Sequence, residues 1–295
     1  RLQDVVRGAT KELYSNGTNA EVTNAETLAS FDSDGFTVGN ASGYNKASDN
    51  FVAWCWKAGG AASSNADGSI TSSVSANTTS GFSIVTTTFD ATSAATIGHG
   101  LGVAPKFIIG KNRTATDDWA CYHESIGASN RVQLNLTGAS GGSSSWNSTA
   151  PTTSVFSVNR ASWVVSNPDD FVFYCWSEVE GFSKFGSYTG NASADGPFIY
   201  TGFRPAFVMT KNASAVSNWN MLDSSRSTYN PVTDRLRANG SEAEDTARTV
   251  DFLSNGFKIR ESGSDLNGSG NTIIYAAYAE HPFQGADGVT QARAR

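Results

Sequence analysis

Charge, sulfur and histidine are all scarce in this chain of 295 residues. Charged residues make up 16% of it, the formal net charge is −6, and no basic patch stands out. Nucleic-acid surfaces need clustered Lys and Arg to replace the counterions of the phosphates, so this balance argues against RNA or DNA as a partner. No apolar run approaches the ~20 residues that cross a bilayer, and no signal-peptide pattern opens the sequence. Neither a membrane span nor Sec-type export is therefore indicated. The three cysteines form an odd set. Cys55 and Cys175 stand mid-strand between aromatics and Cys121 has no evident mate, so all three read as reduced, small core residues. His99, His123 and His281 lie far apart with no metal-ligand spacing, and no cofactor is expected. No G-x-S-x-G elbow or ordered Ser/His/Asp set occurs, and the chain reads as a non-enzyme.

What is abundant is Gly, Ser, Thr, Ala and Asn, with 11% aromatics. β-branched and aromatic residues suit strands, and the Gly/Ser/Asn surplus suits many turns. The chain also repeats itself. Gly102-Val-Ala-Pro-Lys-Phe-Ile-Ile-Gly-Lys-Asn112 returns as Gly202-Phe-Arg-Pro-Ala-Phe-Val-Met-Thr-Lys-Asn212, with Trp119 and Trp219 in phase. A second block occurs three times, as Phe51–Trp56, Phe171–Trp176 and Ile273–Tyr278, each following Phe36, Phe156 or Phe257. This period implies duplicated domains rather than a solenoid of short units. The expected fold is all-β, with tandem β-sandwich or jelly-roll-like repeats over residues 81–182 and 183–284. A partial repeat occupies 1–60, a Gly/Ser/Ala linker 61–80 and a tail 285–295. Residues 1–30 and the neighbourhood of Asp234 to Arg248 are the places where helix is expected. The partial repeat has a second half without its first. Either the chain is a fragment of something longer, or its front half is held by a partner.

Several phrases together resemble a family of virion proteins from tailed phages of marine bacteria, of cyanophage and pelagiphage type. They are Phe31-Asp-Ser-Asp-Gly-Phe-Thr-Val38, Val52-Ala-Trp-Cys-Trp-Lys-Ala-Gly-Gly60 and Gly98-His-Gly-Leu-Gly-Val-Ala-Pro105. Gly186-Ser-Tyr-Thr-Gly190, Tyr200-Thr-Gly-Phe-Arg-Pro205 and Asp251-Phe-Leu-Ser-Asn-Gly-Phe257 extend the likeness over nearly the whole chain. The resemblance implies a structural protein of the virion, commonly a tail fibre downstream of a concanavalin-A-like domain. A homo-oligomer, a trimer first, would then bury edge strands and aromatic faces between copies. Other virion proteins and a host-surface glycan are the further partners implied.

Candidate chemistry is thin. Asp32-Ser-Asp-Gly35 has the alternating carboxylates of a calcium loop, but its counterpart Leu253-Ser-Asn-Gly256 drops both acids, so a β-turn is the better reading. Gly98-His-Gly-Leu-Gly102 lacks the spacing of a nucleotide loop and reads as a bend feeding a strand. Glu178 and Glu280 occupy equivalent positions of separate repeats, whereas glycosidase carboxylates face one another across one cleft. The one constellation with binding chemistry is Trp219, Asp223, Arg226 and Tyr229, with Trp146 in a separate Gly/Ser loop. An indole face stacks on sugar C–H surfaces while Asp and Arg bond hydroxyls. The competing reading is a core Trp beside an internal Arg–Asp pair that holds a turn.

Overall fold

Asp169–Trp176 and Thr272–Ala279 are strands whose residues are almost all buried. A strand reads apolar at successive positions only when both of its faces are covered, and each of these is the hub of a sheet. The computed structural model describes residues 1–89, 94–159, 163 and 168–281. Within them the architecture is all-β, and its only α-helices are the single turns Ser42–Asn45 and Ser264–Asn267.

The duplication holds at the level of register. The first hub strand lies between Phe82–Phe89 and Phe107–Asn112, with Trp176 opposite both Phe82 and Phe107. The second lies between Ser183–Thr189 and Pro205–Asn212, with Tyr278 opposite Ser183 and Phe207. Phe107–Asn112 continues to Ala120–His123 and Asn130–Gln133. Pro205–Asn212 likewise continues to Trp219–Asp223 and Arg235–Leu236. Among the described residues all strand pairings are antiparallel, and one isolated parallel bridge joins Ile70 to Ile97. A smaller sheet covers each main sheet: Ala94–Gly98 with Val155–Asn159 in the first repeat, and Phe198–Tyr200, Gly256–Ile259 and Val250–Leu253 in the second. Each repeat is thus a two-layer sandwich with its own core. Phe156, Phe171, Phe173, Cys175 and Trp146 fill the first; Phe252, Phe257, Ile273, Tyr275 and Ala277 fill the second.

Three sequence expectations are corrected. The stretch 61–80 carries strands Ser63–Asn65 and Ser72–Asn77, which extend the first main sheet to eight strands. Small residues there suit close strand approach; the backbone of Gly59 lies against Ala76, where a Cβ would come 2.0 Å from the carbonyl oxygen. Around Asp234 to Arg248 the chain forms the edge strand Arg235–Leu236, held to Asp245 by backbone and guanidinium bonds. Residues 1–30 form short strands and turns.

The N-terminal block follows the repeat pattern closely. Leu2 bridges Leu13 as Cys121 bridges Val132 and Met221 bridges Leu236. Lys11–Glu12 pairs with Val22–Thr23 in the register in which Asn130 and Arg131 pair with Gly142 and Gly141. Alternate hub residues point away from the sandwich interiors, and there the three repeats meet. Val172, Tyr174 and Trp176 share one core with Phe207, Ile274, Ala276 and Tyr278, joined by Leu13, Trp54 and Trp56 of the N-terminal block. Trp56 makes edge contacts with Trp176, Phe207 and Tyr278, at centroid distances of 6.0, 5.9 and 5.4 Å. One apolar core is therefore shared by three units.

Candidate functional site

The chemistry-bearing residues gather where the units join. Trp119, fully buried, donates its indole N–H to the Tyr14 carbonyl of the N-terminal block at 2.9 Å. Trp219 donates to the Gln133 carbonyl of the first sandwich, also at 2.9 Å. The flanking backbone bonds match as well. Asp117 N–H reaches Thr18 and Ser217 N–H reaches Thr137, while Glu21 N–H reaches Arg113 and Ser140 N–H reaches Ala213. The two joints are one interface used twice.

A turn after the Ala120–His123 strand and its counterparts supplies the second half of each joint. Asp4 accepts N–H bonds from Val6 and Arg7, and its other oxygen accepts the Tyr174 hydroxyl of the first sandwich at 2.7 Å. His123 accepts from Ser125 N–H through Nδ1, and its Nε2 lies 3.1 Å from the Tyr275 carbonyl of the second sandwich. Asp223 accepts from Ser225 and Arg226 N–H and from the Trp54 indole of the N-terminal block. Block to first sandwich, first to second, second back to block: the three units close a ring within one chain. A head-to-tail interface closes only if its rotation permits, and here three units suffice.

The electrostatics fit that role. Arg7 is ion-paired with Asp4 and Glu21. Burial pulls its pKa down, but Tyr174 and the two carboxylates outweigh burial and hold it above the usual arginine value. Burial pushes the Tyr174 hydroxyl well above its ordinary value. His123 is 1% exposed, and burial lowers its pKa to about 4. The ring is thus neutral near pH 7, with Nδ1 as acceptor and Nε2–H donating to Tyr275. The paired Lys-Asn phrase also becomes legible. Asn112 and Asn212 accept two backbone N–H bonds each in the turn that leaves the strand. Lys111 and Lys211 are fully buried, and burial lowers both to about 8.

The proposed sugar patch is not one surface. Trp219 and Trp146 are 2% and 1% exposed. Trp146 is ringed by Tyr122, Phe156, Trp163 and Phe173 inside the first sandwich. Asp223 is buried and ion-paired to Arg226, which also bonds Glu244 and lies over Trp54. Of the five, only Tyr229 is well exposed, at 85%. The competing reading, a core Trp with an internal Arg–Asp pair holding a turn, describes the geometry. The missed signal was the recurrence of Asp223-Ser-Ser-Arg226 as Asp4-Val-Val-Arg7 at the start of the chain.

The remaining candidates resolve into structure. Asp32 closes a turn with Gly35 and accepts the hydroxyls of Ser30 and Thr37. His99 spans its bend, accepting Leu101 N–H and contacting the Thr152 carbonyl, while Gly100 and Gly102 adopt φ of 69° and 71°. Glu178 pairs with Lys184 and Glu280 with Arg204, in separate places. All three cysteines are free thiols; Cys121 and Cys175 are buried, but Cys55 is exposed and outside any strand, against expectation. An open groove of about 520 Å³ lies on the first main sheet. Phe82 and Ile84 face the ring core, and Thr86 and Thr88 continue that face into the groove beside Ser64, Ser73, Arg113 and Asp170. Among the described residues no three His, Cys, Asp or Glu groups are placed to hold a metal, and no helix is long and apolar enough to cross a membrane.

Over residues 1–282 the chain matches a family described as a domain of unknown function, DUF7483, and it belongs to that family. No curated protein and no solved structure matches it.

Proposed function

We propose that this protein is a non-catalytic structural component of a tailed-phage virion appendage, a tail fibre first and a capsid fibre or decoration protein second. The observation that carries the mechanical part is the interlocked ring. The aromatic faces of both hub strands are spent on joining units, and the ionisable groups at the joints fix turns and registers. The buried carboxylates Asp4, Glu12 and Asp223 are paired with arginines and Asp169 accepts from Asn112, and the carboxylates singled out from the sequence sit apart. Such a body resists local opening, because separating one unit uncovers a core shared by three. The virion setting rests on the resemblance in sequence phrases. It is tested by mass spectrometry and immunogold labelling of purified particles from a culture that encodes the protein. Labelled appendages are expected, and particles free of the protein would sink the proposal.

Host attachment through a glycan is a second reading, and the groove lined by Ser64, Ser73, Thr86 and Thr88 favours it over the tryptophans. Hydroxyls with a nearby Arg and Asp can exchange hydrogen bonds with sugar hydroxyls. Binding of host-surface polysaccharide that Thr88→Tyr abolishes would support this reading; binding unchanged by that substitution would remove the groove from it.

A further inference from the structure

The N-terminal block has the joints of a complete unit without a complete unit's interior. Residues Phe51–Trp56 correspond to the hub residues Phe171–Trp176. Trp54 and Trp56 face the shared core, as Tyr174 and Trp176 do. The opposite face differs. Phe171, Phe173 and Cys175 are 0% exposed, whereas Phe51, Ala53 and Cys55 are all exposed, Phe51 at 52%. The hairpin that covers the second sandwich places Phe252 opposite Phe257 at 1% and 0% exposure. Its counterpart places Phe31 opposite Phe36 at 39% and 41%. Burial alternates strictly from Phe51 to Gly59, yet residues 50–60 make no backbone–backbone hydrogen bond among the described residues. In both complete sandwiches this strand is bonded on both sides. The carbonyls of Lys57 and Gly60 accept side-chain bonds from Asn77, Ser80 and Ser75, but the N–H and C=O groups of 51–56 have no backbone partner among the described residues. An extended, half-apolar segment of that kind is a template for strand addition.

We propose that residues 28–60 are the open half of a third sandwich, and that its occupant is a polypeptide front half of the type of residues 81–119. That segment supplies the two neighbours of the hub strand, one strand of the small sheet and the joint tryptophan. Register and continuity with the ring both select it. The third joint already holds the Asp223–Trp54 bond. It lacks the indole that Trp119 and Trp219 bring to the other two: among the described residues, no tryptophan bonds the Arg235–Leu236 edge. A second copy of this chain is a poor occupant, because its own front halves are already built into its two sandwiches.

The test uses Cys55 as reporter, since Cys121 and Cys175 are buried with thiol pKa values pushed up by burial. Residues 81–119 contain no cysteine. They are fused ahead of Arg1, so that Trp119 precedes Arg1 as it precedes Ala120. In the parent chain a maleimide should label Cys55 alone and quickly. In the fusion, Cys55 labelling should slow at least about tenfold and the amides of 51–56 should gain hydrogen-exchange protection, with Cys121 and Cys175 still unreactive. Adding Ala53→Arg to the fusion should restore fast labelling. A folded fusion whose Cys55 labels at the parent rate overturns the proposal. If that fusion leaves Cys121 or Cys175 reactive, residues 183–219 are fused instead, and failure of both to protect Cys55 counts against the proposal. Labelling of the parent that slows with concentration as its native mass doubles would assign the face to a second copy and equally overturn it.

Discussion

Acid should open the joint between the two sandwiches, and His123 is the group that should do it. Its ring is neutral and held by two hydrogen bonds, accepting Ser125 N–H and facing the Tyr275 carbonyl. Protonation would bury a charge, which is why the folded pKa falls to about 4 from 6.5, and it would also leave Ser125 N–H without its acceptor. The sign follows from linkage. A histidine whose pKa is depressed by folding contributes stability that is complete above pH 6.5 and is lost as pH falls toward 4. Each pKa unit is about 1.4 kcal/mol, so the loss is on the order of 3 kcal/mol. Glu124 and Lys106 act on the ring with opposite signs, and they pair with each other across the neighbouring strand. The assay is urea unfolding followed by tryptophan fluorescence at pH 7.5 and 4.5, on the parent and on His123→Asn. Asn retains an acceptor and a donor but does not titrate. Carboxylates elsewhere titrate in both proteins and cancel in the difference. The parent's stability relative to the variant should drop by roughly 2–3 kcal/mol between the two pH values. An unchanged difference would mean that His123 does not carry the acid sensitivity.

Trp219→Phe keeps the ring but leaves the Gln133 carbonyl without its indole donor; a loss of about 1–3 kcal/mol is expected by urea denaturation. Asp223→Ala strips partners from Trp54, Arg226 and two backbone N–H groups, so about 3–5 kcal/mol should be lost, with Trp54 fluorescence shifting red. Lys211→Met should leave stability at pH 7 equal or higher, because charged Lys211 is held in a site that lowers its pKa from 10.5 to about 8. The parent should gain stability as pH rises from 8 toward 10.5, where the unfolded lysine still binds a proton, and the variant should lose that part of the gain. Gly256→Ala would set a Cβ 2.0 Å from the Ile199 carbonyl oxygen, so the small sheet of the second sandwich should separate, read as faster hydrogen exchange at 198–200.

The repeat was legible because strand pairing is periodic and its aromatic hubs are conspicuous. Gly102 to Asn112 against Gly202 to Asn212 gave the two sandwiches, and Phe51–Trp56 gave a third unit. The chain's own joints were not legible. Trp219 and Asp223 look the same in sequence whether they face sugar or a neighbouring repeat, since both environments ask for an indole N–H partner and a fixed carboxylate. The helix expectation near Asp234 failed because Arg235 and Arg237 find Asp245 across a strand edge rather than along a helix. The linker expectation failed for a similar reason. Small residues such as Gly68 serve close backbone approach rather than flexibility, a Cβ there coming 2.3 Å from the Thr96 carbonyl oxygen.

Ring closure inside the chain changes what assembly must explain. The trimer that the resemblance implies would bury aromatic faces between copies. Here the outer face of the hub strands is covered by the chain's own other units, through Trp56 against Trp176, Phe207 and Tyr278. The hydrophobic argument for a trimer therefore loses its main surface. On the interior face of the N-terminal block Phe31, Phe36 and Phe51 stay uncovered, whereas their counterparts in the complete sandwiches are buried; Val103, Phe198, Tyr200 and Val216 are exposed elsewhere. Exposed aromatic side chains on a face that the complete sandwiches bury point to an interaction site. Association of this protein with its neighbours should accordingly be directed through that block.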